Sequence, residues 1–248
     1  MEIILAAVKG TSNLWTQGDI YFGTGQAGQI GWLAADASSS NLNWLTLSGE
    51  TNAIGGLYID QTGVFGGDLI VVTGDDPSQP GSDTGGGVWR VKHDKTSTKV
   101  AQITRADGTG TVLEGVVTVP NDANKYGPWA GKILTCGENT RLIYAVETNG
   151  TVTAYNLGLG TPEDVVLIPS GQNLYCLDES NDRVLKVTQD NFANFVGDIL
   201  LVDEGVMCSA SGVDIVHWTG GGFLVRKIPV GSSLDQVTFA PIDLPALP

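Results

Sequence analysis

Apolar residues in this chain fall in short runs, not at helical spacing. Runs such as Asp68-Leu69-Ile70-Val71-Val72, Val88-Trp89-Arg90-Val91 and Phe223-Leu224-Val225-Arg226-Lys227-Ile228 are rich in β-branched and aromatic residues. Clusters of Gly, Asn, Asp and Thr separate them, among them Asp107-Gly108, Asn149-Gly150 and Gly220-Gly221-Gly222. This is the pattern of strands joined by tight turns. No window sustains a 3.6-residue apolar period, and only Asp190–Phe195 offers a short helix. No linker divides the chain, so residues 1–248 read as one all-β domain.

The runs repeat. Leu113-Glu114-Gly115-Val116-Val117-Thr118-Val119-Pro120 recurs as Pro162-Glu163-Asp164-Val165-Val166-Leu167-Ile168-Pro169 and as Leu234-Asp235-Gln236-Val237-Thr238-Phe239-Ala240-Pro241. Ile54–Asp60 keeps the strand but not the acid or the Pro. A second run follows, beginning at Gly18, Gly67, Gly131, Gly171 and Gly197, with intervals of 49, 64, 40 and 26 residues. Third and fourth runs include Gly87–Asp94 and Lys99–Ile103. A four-stranded antiparallel meander repeated around an axis is a β-propeller. The five second runs predict five blades rather than six; for the short last interval, either the fourth and fifth blades are abbreviated around residues 190–196, or Gly197–Val202 is an outer strand and the count changes, and a sixth blade using Glu2–Val8 stays open. The run Leu234–Pro241 is expected to complete the first blade beside Ile20–Gly23 and close the ring.

Charge narrows the partners. The 13 Lys and Arg against 27 Asp and Glu give a net charge of −14, which disfavours nucleic acid and anionic membranes and suits a cation. No apolar run reaches the ~18 residues of a membrane span. Residues 1–8 lack the charged start and long apolar stretch of a secretory signal. Either the protein is cytoplasmic or a signal was removed before Glu2. The Thr-, Asn- and Gly-rich, Lys-poor composition favours a secreted or periplasmic location. Cys136, Cys176 and Cys208 sit in or beside apolar runs and read as buried thiols without a metal spacing.

In a propeller the inner strand begins at the rim where the second strand ends. Glu114, Glu163 and Asp235 open inner strands; Glu138, Asp178 and Glu204 close second strands. Up to six carboxylates are thus expected at one mouth of the channel. Crowded like charges need compensation. Either the acids bond backbone N–H groups and hold turns, or they bind Ca²⁺ or another divalent cation, which takes oxygen ligands. The Gly74–Gly86 loop, with Asp75, Asp76 and Asp83, lies on the same rim and reads as solvated, without EF-hand spacing. Asp178–Asp182 reads as a tight turn. His93 and His217 have no partner His at metal spacing, and no nucleophile motif is present. Trp15, Trp32, Trp44, Trp89, Trp129 and Trp218 suit packing between blades. Trp129, leading a second strand from the opposite rim, is also a candidate to stack on a sugar face.

The blade pattern, with Leu113-Glu114-Gly115-Val116 and Tyr126-Gly127-Pro128-Trp129-Ala130-Gly131-Lys132-Ile133-Leu134, resembles a group of secreted bacterial β-propellers of unassigned function. More distantly it is similar to gluconolactonase and NHL-type propellers. That resemblance implies a Glu opening an inner strand and helping to bind a central divalent cation, and Glu114 matches it by position. Asn and Asp ligands of that group have no residue-by-residue match here, and its usual six blades differ from the five counted. The leading expectation is a non-catalytic extracytoplasmic binding or scaffold propeller with a divalent cation at its acidic mouth. Its partner would be a small molecule, a glycan or a protein. The alternatives are a metal-dependent hydrolase or lyase acting on a sugar or lactone, and a carbohydrate-binding lectin.

Overall fold

The repeated runs assemble into five antiparallel sheets. The computed structural model describes residues 4–8, 14–79, 81–82, 84–205 and 211–241. The first sheet holds β1 (Leu5–Ala7), β2 (Ile20–Gly23), β3 (Gln29–Leu33) and β4 (Ser40–Thr46). The second holds β5 (Ile54–Ile59), β6 (Leu69–Thr73), β7 (Gly87–Val91) and β8 (Ser97–Gln102). The third holds β9 (Leu113–Thr118), β10 (Ile133–Gly137), β11 (Leu142–Val146) and β12 (Val152–Tyr155), with the short helix α1 (Ala123–Tyr126) between its first two strands.

The last two sheets exchange strands. β13 (Pro162–Leu167) does not pair with the next strand, β14 (Gln172–Asp178). The hairpin of β14 and β15 (Arg183–Val187) crosses into the following sheet. The chain then returns as β16 (Ile199–Asp203), which pairs with β13, and continues through β17 (Gly212–Trp218) and β18 (Phe223–Pro229). Finally β19 (Leu234–Pro241) pairs with β14. The fourth sheet is β13-β16-β17-β18, and the fifth has three strands, β19-β14-β15.

The protein is therefore a five-bladed β-propeller, and the count from the second runs holds. The 26-residue interval reflects the inserted hairpin, not shortened blades. One expectation is corrected. Leu234–Pro241 completes the fifth sheet, not the first, whose inner strand is Leu5–Ala7. Among the described residues the fifth sheet shows three of its strands. A 3-10 turn at Gln189–Phe192 stands where the short helix was expected.

The second strands β6, β10 and β16 are apolar on both faces because each feeds two cores. In β6, Leu69 and Val71 pack towards the first sheet, while Ile70 and Val72 pack towards the third. In β10, Ile133 and Leu134 divide in the same way. This is why these strands read as unbroken apolar runs instead of alternating ones. Four buried clusters result, between sheets one and two, two and three, three and four, and four and five. Among the described residues no fifth cluster joins the last sheet to the first.

A charged residue opens most second strands and is clasped by the third strand. Asp19 accepts from Trp32 Nε1 at 2.8 Å. Asp68 accepts from Arg90 Nε and Nη2 at 3.0 and 2.7 Å. Asp198 meets His217 Nδ1 at 2.9 Å. The third sheet reverses the charges, with Lys132 Nζ 3.0 Å from Glu147. His217, half-exposed, thus belongs to a structural clasp, and His93 lies edge-on to Trp15.

Candidate functional site

The acidic mouth is shaped by a bulge that the sequence pattern does not reveal. In the second, third, fourth and fifth sheets the inner strand slips register against the second strand at its first residues. Cys136 pairs with Glu114 while Thr135 pairs with Val116, leaving Gly115 as the extra residue. A bulge bends the strand and re-aims its side chains. Gly115 takes φ +52°, and a Cβ there would lie 2.6 Å from the Asp164 backbone. A Cβ on Gly55 would strike the Leu113 carbonyl at 2.0 Å. The inner strands therefore approach closely where their acids begin.

Three further acids gather around Glu163. Its side chain is buried, at 7% exposure, and is hydrogen-bonded to Glu114. Burial pushes its carboxyl up to about 12, and the charges of Glu114, Glu138 and Glu204 push the same way. A carboxyl so placed favours its neutral form, which can donate the hydrogen bond to Glu114. Glu163 Oε1 is buried without a hydrogen-bond partner. Beneath them, burial and the charges of Asp164, Glu163 and Glu114 raise the Cys136 thiol well above its ordinary value. It is a neutral core thiol, as is Cys176, raised to about 11 chiefly by burial.

The other acids do different work. Glu138 and Glu204 donate their backbone N–H to Val112 and Thr161, each at 3.0 Å. The matching bond in the fifth sheet, at 3.1 Å to Ser233, comes from Glu179. Asp178 is therefore one residue out of phase and stands where Gly137 and Asp203 stand, each opposite the first residue of its inner strand. Its carboxylate accepts from Asn181 Nδ2 at 2.9 Å and Arg183 Nε at 2.7 Å. Burial alone would raise it, but these bonds hold it below the ordinary range. Asp203, not singled out from sequence, accepts from the N–H groups of Gly160, Thr161 and Gly205. Asp164 ties the last two inner strands by accepting from Val237 N at 3.0 Å. Asp235 is buried at the start of β19. Glu114, Glu163, Glu138 and Glu204 thus come together, whereas Asp178 serves a turn.

The oxygen-only donor set and the orphaned Glu163 oxygen suit a hard cation. As they stand, no three His, Cys, Asp or Glu side chains among the described residues form a group able to hold a metal ion. The close pair is Glu114 with Glu163, joined by a side-chain hydrogen bond.

On the opposite rim Trp129 is 1% exposed. Phe223 covers its ring at 4.0 Å between centroids, and Tyr155 meets it edge-on. It offers no face to a sugar, and its place is in the core between the third and fourth sheets. Trp218 and Phe223 line the shallow cleft outside it, with Lys125, Tyr126 and Asp198. Of the rim loop, Asp75 and Asp76 bond within their own turn, and Asp83 lies outside the described residues, as does Cys208. Asp178–Asp182 forms the expected turn, with Asp182 left-handed at φ +50°. No described helix is long and apolar enough to cross a membrane.

No protein-family model matches the chain, and no curated protein matches it. Solved structures do. One assigned as a gluconolactonase superposes with a TM-score of 0.52 at 10% identity over 86% of this chain and 61% of its own. A gluconolactonase from Xanthomonas campestris superposes with a TM-score of 0.51 at 11% identity over 86% and 60%. The virginiamycin B lyase of Staphylococcus aureus gives 0.44 at 12% identity over 98% and 89%. The chain spans about three fifths of the length of the two gluconolactonases, and at these identities the likeness is one of fold.

Proposed function

We propose that this propeller is an extracytoplasmic binding or scaffold protein whose acidic mouth takes a divalent cation in exchange for the proton of the Glu163 carboxyl hydrogen-bonded to Glu114. The observation that carries the reading is the buried, unpartnered Glu163 oxygen beside three more carboxylates. A proton relieves that crowding in part, and a hard cation with Glu138 and Glu204 drawn in would relieve it further. The Thr-, Asn- and Gly-rich composition with only 13 Lys and Arg supports the location.

Calorimetric titration of EDTA-treated protein with CaCl₂, in buffers of different ionisation enthalpy, tests this. The expected result is stoichiometric binding with proton release, weakened at lower pH and lost in Glu163→Gln. Absence of binding by the wild-type protein at pH 8 removes the cation and leaves the acids as strand ties. A second reading rests on the same pair. A neutral carboxyl hydrogen-bonded to a carboxylate is a proton donor and acceptor set, as a hydrolase or lyase acting on a sugar or lactone would need. Lactone or glycoside turnover that disappears in Glu163→Gln would move the assignment to that reading.

A further inference from the structure

Among the described residues the fifth blade shows no counterpart of the strand that covers each of the other four. β3, β7, β11 and β17 are third strands, and each pairs along its outer edge with β4, β8, β12 or β18. Of those third strands, β7, β11 and β17 are largely buried and β3 is partly so. β15 is the third strand of its blade, and no described strand pairs with its outer edge. Its residues are correspondingly open. Val184 is 65% exposed, and its cross-strand partner Leu177 is 39% exposed on the same face. Arg183 and Lys186 are exposed as well, and Lys186 lies over the Tyr175 ring.

We propose that the outer edge of β15 accepts an extended peptide segment of a partner protein, which completes the blade as its fourth strand. A backbone edge selects a strand, because only an extended chain matches its alternating N–H and C=O groups. The molecule itself shows what fits the position. Its own fourth strands run 4 to 7 residues and mix β-branched with polar side chains, as in Ser97–Gln102 and Phe223–Pro229. The partner strand would set an apolar residue beside Val184 and Leu177 and an acid beside Lys186. An edge of five residues suits a peptide and falls short of the about 1,200 Å² that a stable protein interface buries.

The probes are two synthetic peptides copying Ser97–Gln102 and Phe223–Pro229, each lengthened by an acid placed to face Lys186. Versions N-methylated at alternate residues serve as controls, since they cannot form the ladder. The expected result is saturable binding of the unmodified peptides, no binding of the methylated ones, and slowed amide exchange confined to residues 183–187 and their ladder partners. Lys186→Glu is expected to weaken binding several-fold without lowering the melting temperature. No saturable binding at millimolar peptide, or protection elsewhere, overturns the site. Light scattering that shows a dimer dispersed by the peptides would assign the edge to a second copy of this chain and overturn the partner segment.

Discussion

At the residue scale, Glu163 and Asp60 bend the stability curve in opposite directions. Unfolded, Glu163 ionises near 4.5; folded, it holds its proton up to about 12. The native state then binds more protons than the unfolded state between those values, so stability falls as pH rises. The contribution is whole below 4.5 and declines towards 12. Glu163→Gln removes that slope. In EDTA the variant is expected to melt above the wild type at pH 8 and close to it near pH 4.5, as calorimetry at both pH values would show. With saturating Ca²⁺ at pH 8 the order reverses if the cation reading holds. Asp60 is buried too, which alone would raise it, but bonds from Thr62, Thr118 and Gly67 lower its carboxyl. Its contribution is present above the ordinary carboxylate range and fades in acid. Asp60→Ala breaks bonds to Thr62, Phe65, Gly67 and Thr118. It is expected to cost about 3 kcal/mol in urea denaturation.

At the scale of the element, the inner-strand bulge decides which acids meet. Gly115→Ala would force a Cβ into the Asp164 backbone at a left-handed φ. The expected loss is about 2 kcal/mol or more by denaturant midpoint, together with weaker Ca²⁺ binding at the mouth if the cation reading holds. The strands themselves were legible because short β-branched and aromatic runs and turn glycines are local signals. So were Glu114 and Glu163 at the starts of inner strands. The phase of Asp178 was not, because one residue of slip at the bulge moves a side chain to another face. Cys176 sits opposite Val237 and so corresponds to Thr135, not to Cys136, which the run Leu174-Tyr175-Cys176 suggests by composition. Trp129 misled for a related reason. An aromatic before a strand looks available until Phe223, 94 residues later, is seen stacked on it.

At the scale of the whole molecule, the exchange of strands between the last two sheets links their stabilities. Strand pairing between β13 and β16 spans a hairpin that belongs elsewhere, and no local signal in Pro162–Pro169 distinguishes β14 from β16 as its partner. Both candidates begin with Gly and continue with an apolar run, so the choice rests on long-range packing alone. The core between these sheets joins Leu174, Cys176, Val237 and Phe239 to Leu200, Val202 and Ile215. β19 is the inner strand of the fifth sheet and also borders β13, where Asp164 accepts the Val237 N–H. Truncation after Ser233 removes it and leaves β14 and β15 as a lone hairpin, which is marginal in water. Hydrogen exchange of the truncated chain should show amides 172–187 losing nearly all protection and those of β13 and β16 losing part of theirs. The second and third sheets, whose core between them contains no residue of β19, should keep theirs. Undiminished protection across 172–187 would mean that the hairpin is held by something other than its inner strand and the core it closes.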